Sequence, residues 1–161
     1  MSMYHRILVP LDGSATAERG VREAIGLAAE QKATLCLLHV VDDFPMLMQM
    51  TSVVNFEETM KDVRQYGESL LANARSAAAE AGVQADTLLR KVTHERAAEV
   101  IVDEAKKAGC DLIVMGTHGR RGFSLLTMGS EAQLVARTSP VPVLLVRLEE
   151  PKPEPVEGAL S

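Results

Sequence analysis

Apolar and polar positions alternate along the chain in a way that predicts strands and helices in turn. "YHRILVPLD" is a short apolar run that closes on Asp12-Gly13-Ser14 and reads as a buried strand followed by a turn. Beyond it, Ala17, Val21, Ala24, Ile25 and Ala28 share one helical face, with Ser14 or Thr16 placed to cap it. "ATLCLLHVV" (Ala33–Val41) is apolar on both faces, as strands of a helix-covered parallel sheet are. Asp42–Asn55, with Pro45 and the apolar "MLMQM", reads as a packed loop or short helix. A long helix is predicted from about Phe56 to Ala81, lined by Met60, Val63, Leu70, Leu71, Ala74, Ala77 and Ala78 and closed by Gly82. "QADTLLRKV" is a third strand. Glu95–Ala108 is a third helix with Ala98, Ile101, Val102 and Ala105 inward and Gly109 at its end. "DLIVMGT" is a fourth strand, Gly129-Ser130 opens a helix to about Arg137, and "VPVLLVR" (Val141–Arg147) is a fifth strand.

Regular alternation of strand and helix predicts an α/β domain around a parallel sheet. Suppose the first three strands wind one way and the chain then returns to the far side of strand one. Right-handed crossovers then give a doubly wound, Rossmann-like sheet of five parallel strands, order 3-2-1-4-5, with helices on both faces. Strands one and four flank the switch point, and ligands of such sheets bind beyond the carboxyl ends there. Asp12-Gly13-Ser14 and Gly116–Ser130 are the segments assigned to that place. Residues 1–147 make the single domain, and 148–161, "LEEPKPEPVEGALS", form a Pro/Glu-rich tail expected to be disordered.

Composition narrows the function. With 22 acidic and 17 basic residues the chain carries a formal net charge of -5, against the basic face of a general nucleic-acid binder. No apolar run approaches the roughly 20 residues that span a bilayer. The opening "MSMYHRILVPLDGS" lacks a signal-peptide pattern, so the expected location is cytoplasmic. Cys36 and Cys110 sit in or beside apolar runs with no zinc spacing. They read as buried small hydrophobes rather than a disulfide or metal site.

One stretch departs from the acidic balance. "MGTHGRRGFSLLTMGS" holds four of the 11 glycines, and residues 112–130 contain no carboxylate. Glycines at 116, 119, 122 and 129 let backbone N–H groups turn inward into an anion-binding nest. Gly129-Ser130 starts a helix, whose N-terminus favours phosphate. His118, Arg120 and Arg121 are placed to add charge. The stretch is therefore read as a polyphosphate loop. It is neither a P-loop, since no Gly-Lys-Ser/Thr follows, nor the dinucleotide fingerprint, which would follow strand one.

Gly116-x-x-Gly119, nine residues, then Gly129-Ser130 resembles the G-2x-G-9x-G-(S/T) signature of ATP-binding universal stress proteins. "ILVPLDGS", "LLHVVD", "DLIVMGTHGRRG" and "SPVPVLLVR" are similar to that family in the same order, over about Tyr4 to Arg147. The resemblance implies ATP as ligand, with any Mg²⁺ held mainly by the phosphates. It assigns Pro10 and Asp12 to the adenine end, Val40 or Val41 to the base, and Met115 and Gly116 to the ribose. Gly119, Gly129 and Ser130 hold the phosphates, helped by backbone amides between Arg120 and Gly122. It also implies a homodimer through the last strand, Val141–Arg147, and a role in nucleotide-dependent stress signalling rather than vigorous catalysis.

Two alternatives stand beside this reading. Glu131 follows Ser130 where the family is often apolar, and its charge competes with phosphate if it faces the site. That keeps open a dimerisation module of the same fold that binds no nucleotide and works through a protein partner. A slow ATPase is the weaker alternative, because no carboxylate in the loop is placed to act as base. Asp12 serves equally as a helix cap, His39 reads as a satisfied core group, and His5 and His94 as surface groups. "VTHERAAEV" lacks the glycine often found before the third helix in the family, so a different loop is expected there.

Overall fold

The structure is a computed structural model that describes residues 1–43, 56–118 and 128–148. Five strands form one sheet: β1 (Arg6–Pro10), β2 (Thr34–Asp42), β3 (Ala85–Val92), β4 (Leu112–Gly116) and β5 (Val143–Val146). Every pairing is parallel and the order is β3-β2-β1-β4-β5. The predicted doubly wound topology is the observed one.

Strand alternation divides the core in two. Ile7 and Val9 of β1, Leu35 and Leu37 of β2, and Leu112 and Val114 of β4 point to one face. They meet Ala17, Val21, Ala24 and Ala28 of α1 (Ala15–Gln31) and Leu71, Ala74 and Ala78 of α2 (Phe56–Glu80). The intervening residues Leu8, Cys36, Leu38, Ile113 and Met115 point to the other face. There they pack on Ala98, Ile101, Val102 and Ala105 of α3 (Ala97–Lys107) and Ala132 and Val135 of α4 (Ser130–Thr138). Both faces being covered explains why the central strands read as continuous apolar runs.

Helix ends follow local chemistry. Ser14 caps α1, its side chain accepting from the Ala17 amide at 3.2 Å. Gly82 and Gly109, both at positive φ, close α2 and α3. The buried stripe of α2 is narrower than the periodicity predicts. Leu71, Ala74 and Ala78 are buried, Met60, Val63 and Leu70 half-buried, and Ala77 exposed. Strand β5 is also shorter than Val141–Arg147. The Val141 amide turns to Ser139 Oγ at 3.2 Å and Pro142 has no N–H, so the ladder starts at Val143. The expected loop over Asp42–Asn55 lies, after Asp43, outside the described residues, as does the tail from 149.

Candidate functional site

Where the chain reverses between β1 and β4, a cavity of about 800 Å³ opens at the carboxyl edge of the sheet. The volume falls within the range of small-molecule sites. The end of β1 contributes Pro10, Leu11 and Asp12, and β2 contributes Leu38, Val40 and Asp42. The end of β4 contributes Met115, Gly116, Thr117 and His118, and the start of α4 contributes Gly129, Ser130, Glu131 and Ala132. The fourth wall is the segment from Thr93 to Ala97 that leads into α3.

Of the residues singled out in the sequence, Pro10, Asp12, Val40, Met115, Gly116, His118, Gly129 and Ser130 line this one cavity. Alternation along β2 separates the two valines. Val40 packs with the α3/α4 core and reaches the cavity, whereas the buried Val41 does not line it. Gly119, Arg120 and Gly122, with Arg121, lie outside the described residues.

Asp12 has a local task. Its Oδ1 accepts the Ser14 amide at 2.8 Å, which holds the turn that starts α1. Gly116 is required by close approach. A Cβ there would lie 2.9 Å from the Thr16 carbonyl carbon and oxygen. That contact lets α1 press on the end of β4, where the Thr16 hydroxyl donates to the His118 carbonyl. The Gly129 amide donates to the Thr117 carbonyl at 2.7 Å, which ties the start of α4 to the end of β4. Gly129 is the N-cap of α4 and supplies no side-chain acceptor. The first intrahelical bond runs from the Gln133 amide to Gly129, so the first-turn amides before it have no intrahelical acceptor. His118 shares a hydrogen bond between Nδ1 and Thr117 Oγ1 at 2.9 Å, and its buried Nε2 has no partner among the described residues.

Glu131 lines the same cavity, and its carboxylate is engaged within the chain. Its Oε1 accepts from Arg96 Nε at 3.2 Å and from a terminal guanidinium nitrogen at 3.0 Å. Its Oε2 accepts from the Ala98 amide at 2.7 Å. The carboxylate thus pairs with a cation and caps α3, where a negative charge suits the helix dipole. Arg96 and the Thr93–Glu95 segment are the part of the site that sequence reasoning missed. The available signal was position alone, since the loop after β3 leaves the same carboxyl edge as those after β1 and β4. His39 is the satisfied core group expected of it, buried with Nδ1 2.7 Å from the Leu11 carbonyl.

Residues 3–147 match the universal stress protein family. The chain is 34% identical over 151 residues to universal stress protein YxiE of Bacillus subtilis, covering 90% of this chain and 100% of that protein. The solved structure of MJ0577, from Methanocaldococcus jannaschii, superposes with a TM-score of 0.78 at 27% identity, covering 92% of this chain and 99% of that one. A universal stress protein solved in complex with cAMP superposes with a TM-score of 0.62 at 25% identity, covering 91% of this chain and 98% of that one. On the family match over nearly the whole described fold, this chain belongs to the universal stress protein family.

Proposed function

We propose that the cavity binds an adenine nucleotide, ATP in the first instance, and that the bound state is the signal a stress-response partner reads. The observation that carries this is a helix N-terminus set into the cavity wall. Gly129, Ser130 and His118 line the cavity together, and Gly129 as the N-cap of α4 brings no side-chain acceptor to occupy the first-turn amides. The pose has adenine against Val40 with its amino group toward Asp12, beside Pro10, and ribose against Met115 and Gly116. The phosphates lie at Gly129 and Ser130, and the glycine pattern assigns Gly119, Arg120 and Gly122 to the same cradle. Mg²⁺ accompanies the nucleotide, held mainly by phosphate and water. The reading in which Glu131 expels phosphate loses its support, because Arg96 and the Ala98 amide already occupy that carboxylate.

Thermal unfolding with a nucleotide panel tests this. ATP at a hundredfold excess over its Kd stabilises the protein by about 2.7 kcal/mol. Inosine triphosphate, which has a carbonyl where adenine has its amino donor, stabilises it less. If no adenine nucleotide moves the transition, the proposal is wrong.

We infer also that two copies pair along β5. Among the described residues this strand pairs only with β4, and Leu144 stands 39% exposed on it. Such an edge invites pairing with a second strand. Light scattering at micromolar concentration should give a dimer, reduced to a monomer by Leu144→Glu. A monomeric parent protein removes the inference.

A further inference from the structure

The sequence leaves the start of α3 short of an acceptor. Its N-cap is Arg96, at a position where Ser, Thr, Asp or Asn would supply a side-chain oxygen to the first-turn amides. The Arg96 amide is satisfied locally, donating to Glu99 Oε2 at 3.2 Å. Ala98 is fully buried, so its amide would be costly to leave unpaired. The acceptor comes from another helix, 33 residues on, where Glu131 Oε2 takes the Ala98 amide at 2.7 Å. Glu131 Oε1 holds Arg96 as well, through two guanidinium nitrogens at 3.2 and 3.0 Å.

Glu131 is also the second residue of α4. The first intrahelical bond of α4 starts from the Gln133 amide, so the Glu131 backbone amide is one of those without an intrahelical acceptor. A single residue of the cavity wall therefore joins two helix starts. Its backbone belongs to the first turn of α4, and its side chain closes the first turn of α3.

We propose that Glu131 is a positioning residue: granted the nucleotide site proposed above, on which this role rests, it couples occupancy of that site to the segment from Thr93 to Ala97. A phosphate that engages the first-turn amides of α4 removes freedom from that turn, and so from the Glu131 side chain that the turn carries. The side chain then holds Arg96 and the Ala98 amide for more of the time. The start of α3 is firmer with nucleotide bound and looser without it. His94, Glu95 and Arg96 are exposed on this segment, so the ligand's state is displayed at the surface there. Linkage makes the coupling reciprocal, and whatever fixes the segment from outside raises ATP affinity by the same factor.

The test is amide hydrogen exchange on the full chain, read residue by residue by NMR, beside calorimetry with ATP. At saturating ATP the Ala98 amide should exchange roughly tenfold more slowly than in the nucleotide-free protein. In Glu131→Ala that effect of ATP should vanish. The Ser139 amide, bonded to the Val135 carbonyl at 2.9 Å at the far end of α4, reports that the helix stays folded in the variant. Glu131→Gln keeps an oxygen of the same reach and should bring most of the effect back. A merely structural cap protects Ala98 equally with and without ATP. Equal exchange in the parent, with ATP bound by calorimetry, would overturn the proposal and leave the nucleotide site standing. An ATP effect that persists in Glu131→Ala would overturn it as well, since the ligand would then touch the segment directly. No binding of ATP by calorimetry would remove the nucleotide reading and this role together.

Discussion

The amino and carboxyl edges of the sheet are finished in opposite ways. At the amino edge, Asp111 accepts the His5 and Arg6 amides at 2.9 and 3.1 Å, and its own amide donates to the Arg6 carbonyl at 2.9 Å. Polar groups there find partners in the chain itself. At the carboxyl edge, among the described residues, the first-turn amides of α4 lack intrahelical acceptors and the buried His118 Nε2 has no partner. An edge that only holds the fold together pairs its polar groups internally, because a buried unpaired group is costly. An edge built for a ligand keeps groups that only a ligand completes. Among the described residues, Arg6 Nε is the exception at the amino edge.

The largest effect on this contrast is expected from Gly116→Val. Its Cβ would meet the Thr16 backbone at 2.9 Å, and a β-branched residue leaves no rotamer that relieves the clash. Urea unfolding should register a loss of about 3 kcal/mol. A cost below about 1 kcal/mol would mean that α1 and β4 separate easily, and the carboxyl edge would then be less rigid than described.

Arg96→Ala probes the ligand edge more finely. It removes the cation from Glu131 and leaves the carboxylate at the cavity wall with only the Ala98 amide. ATP should bind about tenfold more weakly, about 1.4 kcal/mol. The double variant with Glu131→Gln should recover most of that loss. If the double variant binds no better than the single one, Arg96 contacts the ligand directly instead of neutralising its neighbour.

Asp111→Asn should have the smallest effect, and its pH dependence carries the information. Burial opposes ionisation of Asp111, but the amide hydrogen bonds from His5 and Arg6 outweigh it and hold the carboxylate below its usual range. A depressed folded pKa contributes stability above the unfolded value of about 4, and that contribution is lost as pH falls through the folded value. Thermal melts of parent and variant should therefore differ slightly near neutral pH and converge in acid. A gap that widens in acid would show that the carboxylate is not stabilised in its ionised form.

Sheet order and the location of the cavity were legible in the sequence because they follow from local periodicity and a handedness rule. The apolar run of β2 left Val40 and Val41 as equal candidates, and the faces of the folded sheet separate them. What depended on chain distant in sequence was not legible. Arg96 and Glu131 lie 35 residues apart, and no pattern in either neighbourhood announces their pairing. The start of β5 was misread for a local reason. Pro142 and the turn of Val141 onto Ser139 take two apolar residues out of the ladder, and hydrophobicity alone does not register that.

The central claim is that the carboxyl edge is a nucleotide site completed by the α4 N-terminus. Calorimetric titration of the nucleotide-stripped protein with ATP, with and without Mg²⁺, tests it most directly, beside Gly129→Asp. Aspartate is a favourable N-cap, so this variant should keep α4 intact while setting a carboxylate where phosphate would lie. The account predicts saturable binding near one ATP per chain in the parent and none in the folded variant. No heat in the parent, or equal affinity in the variant, would contradict it.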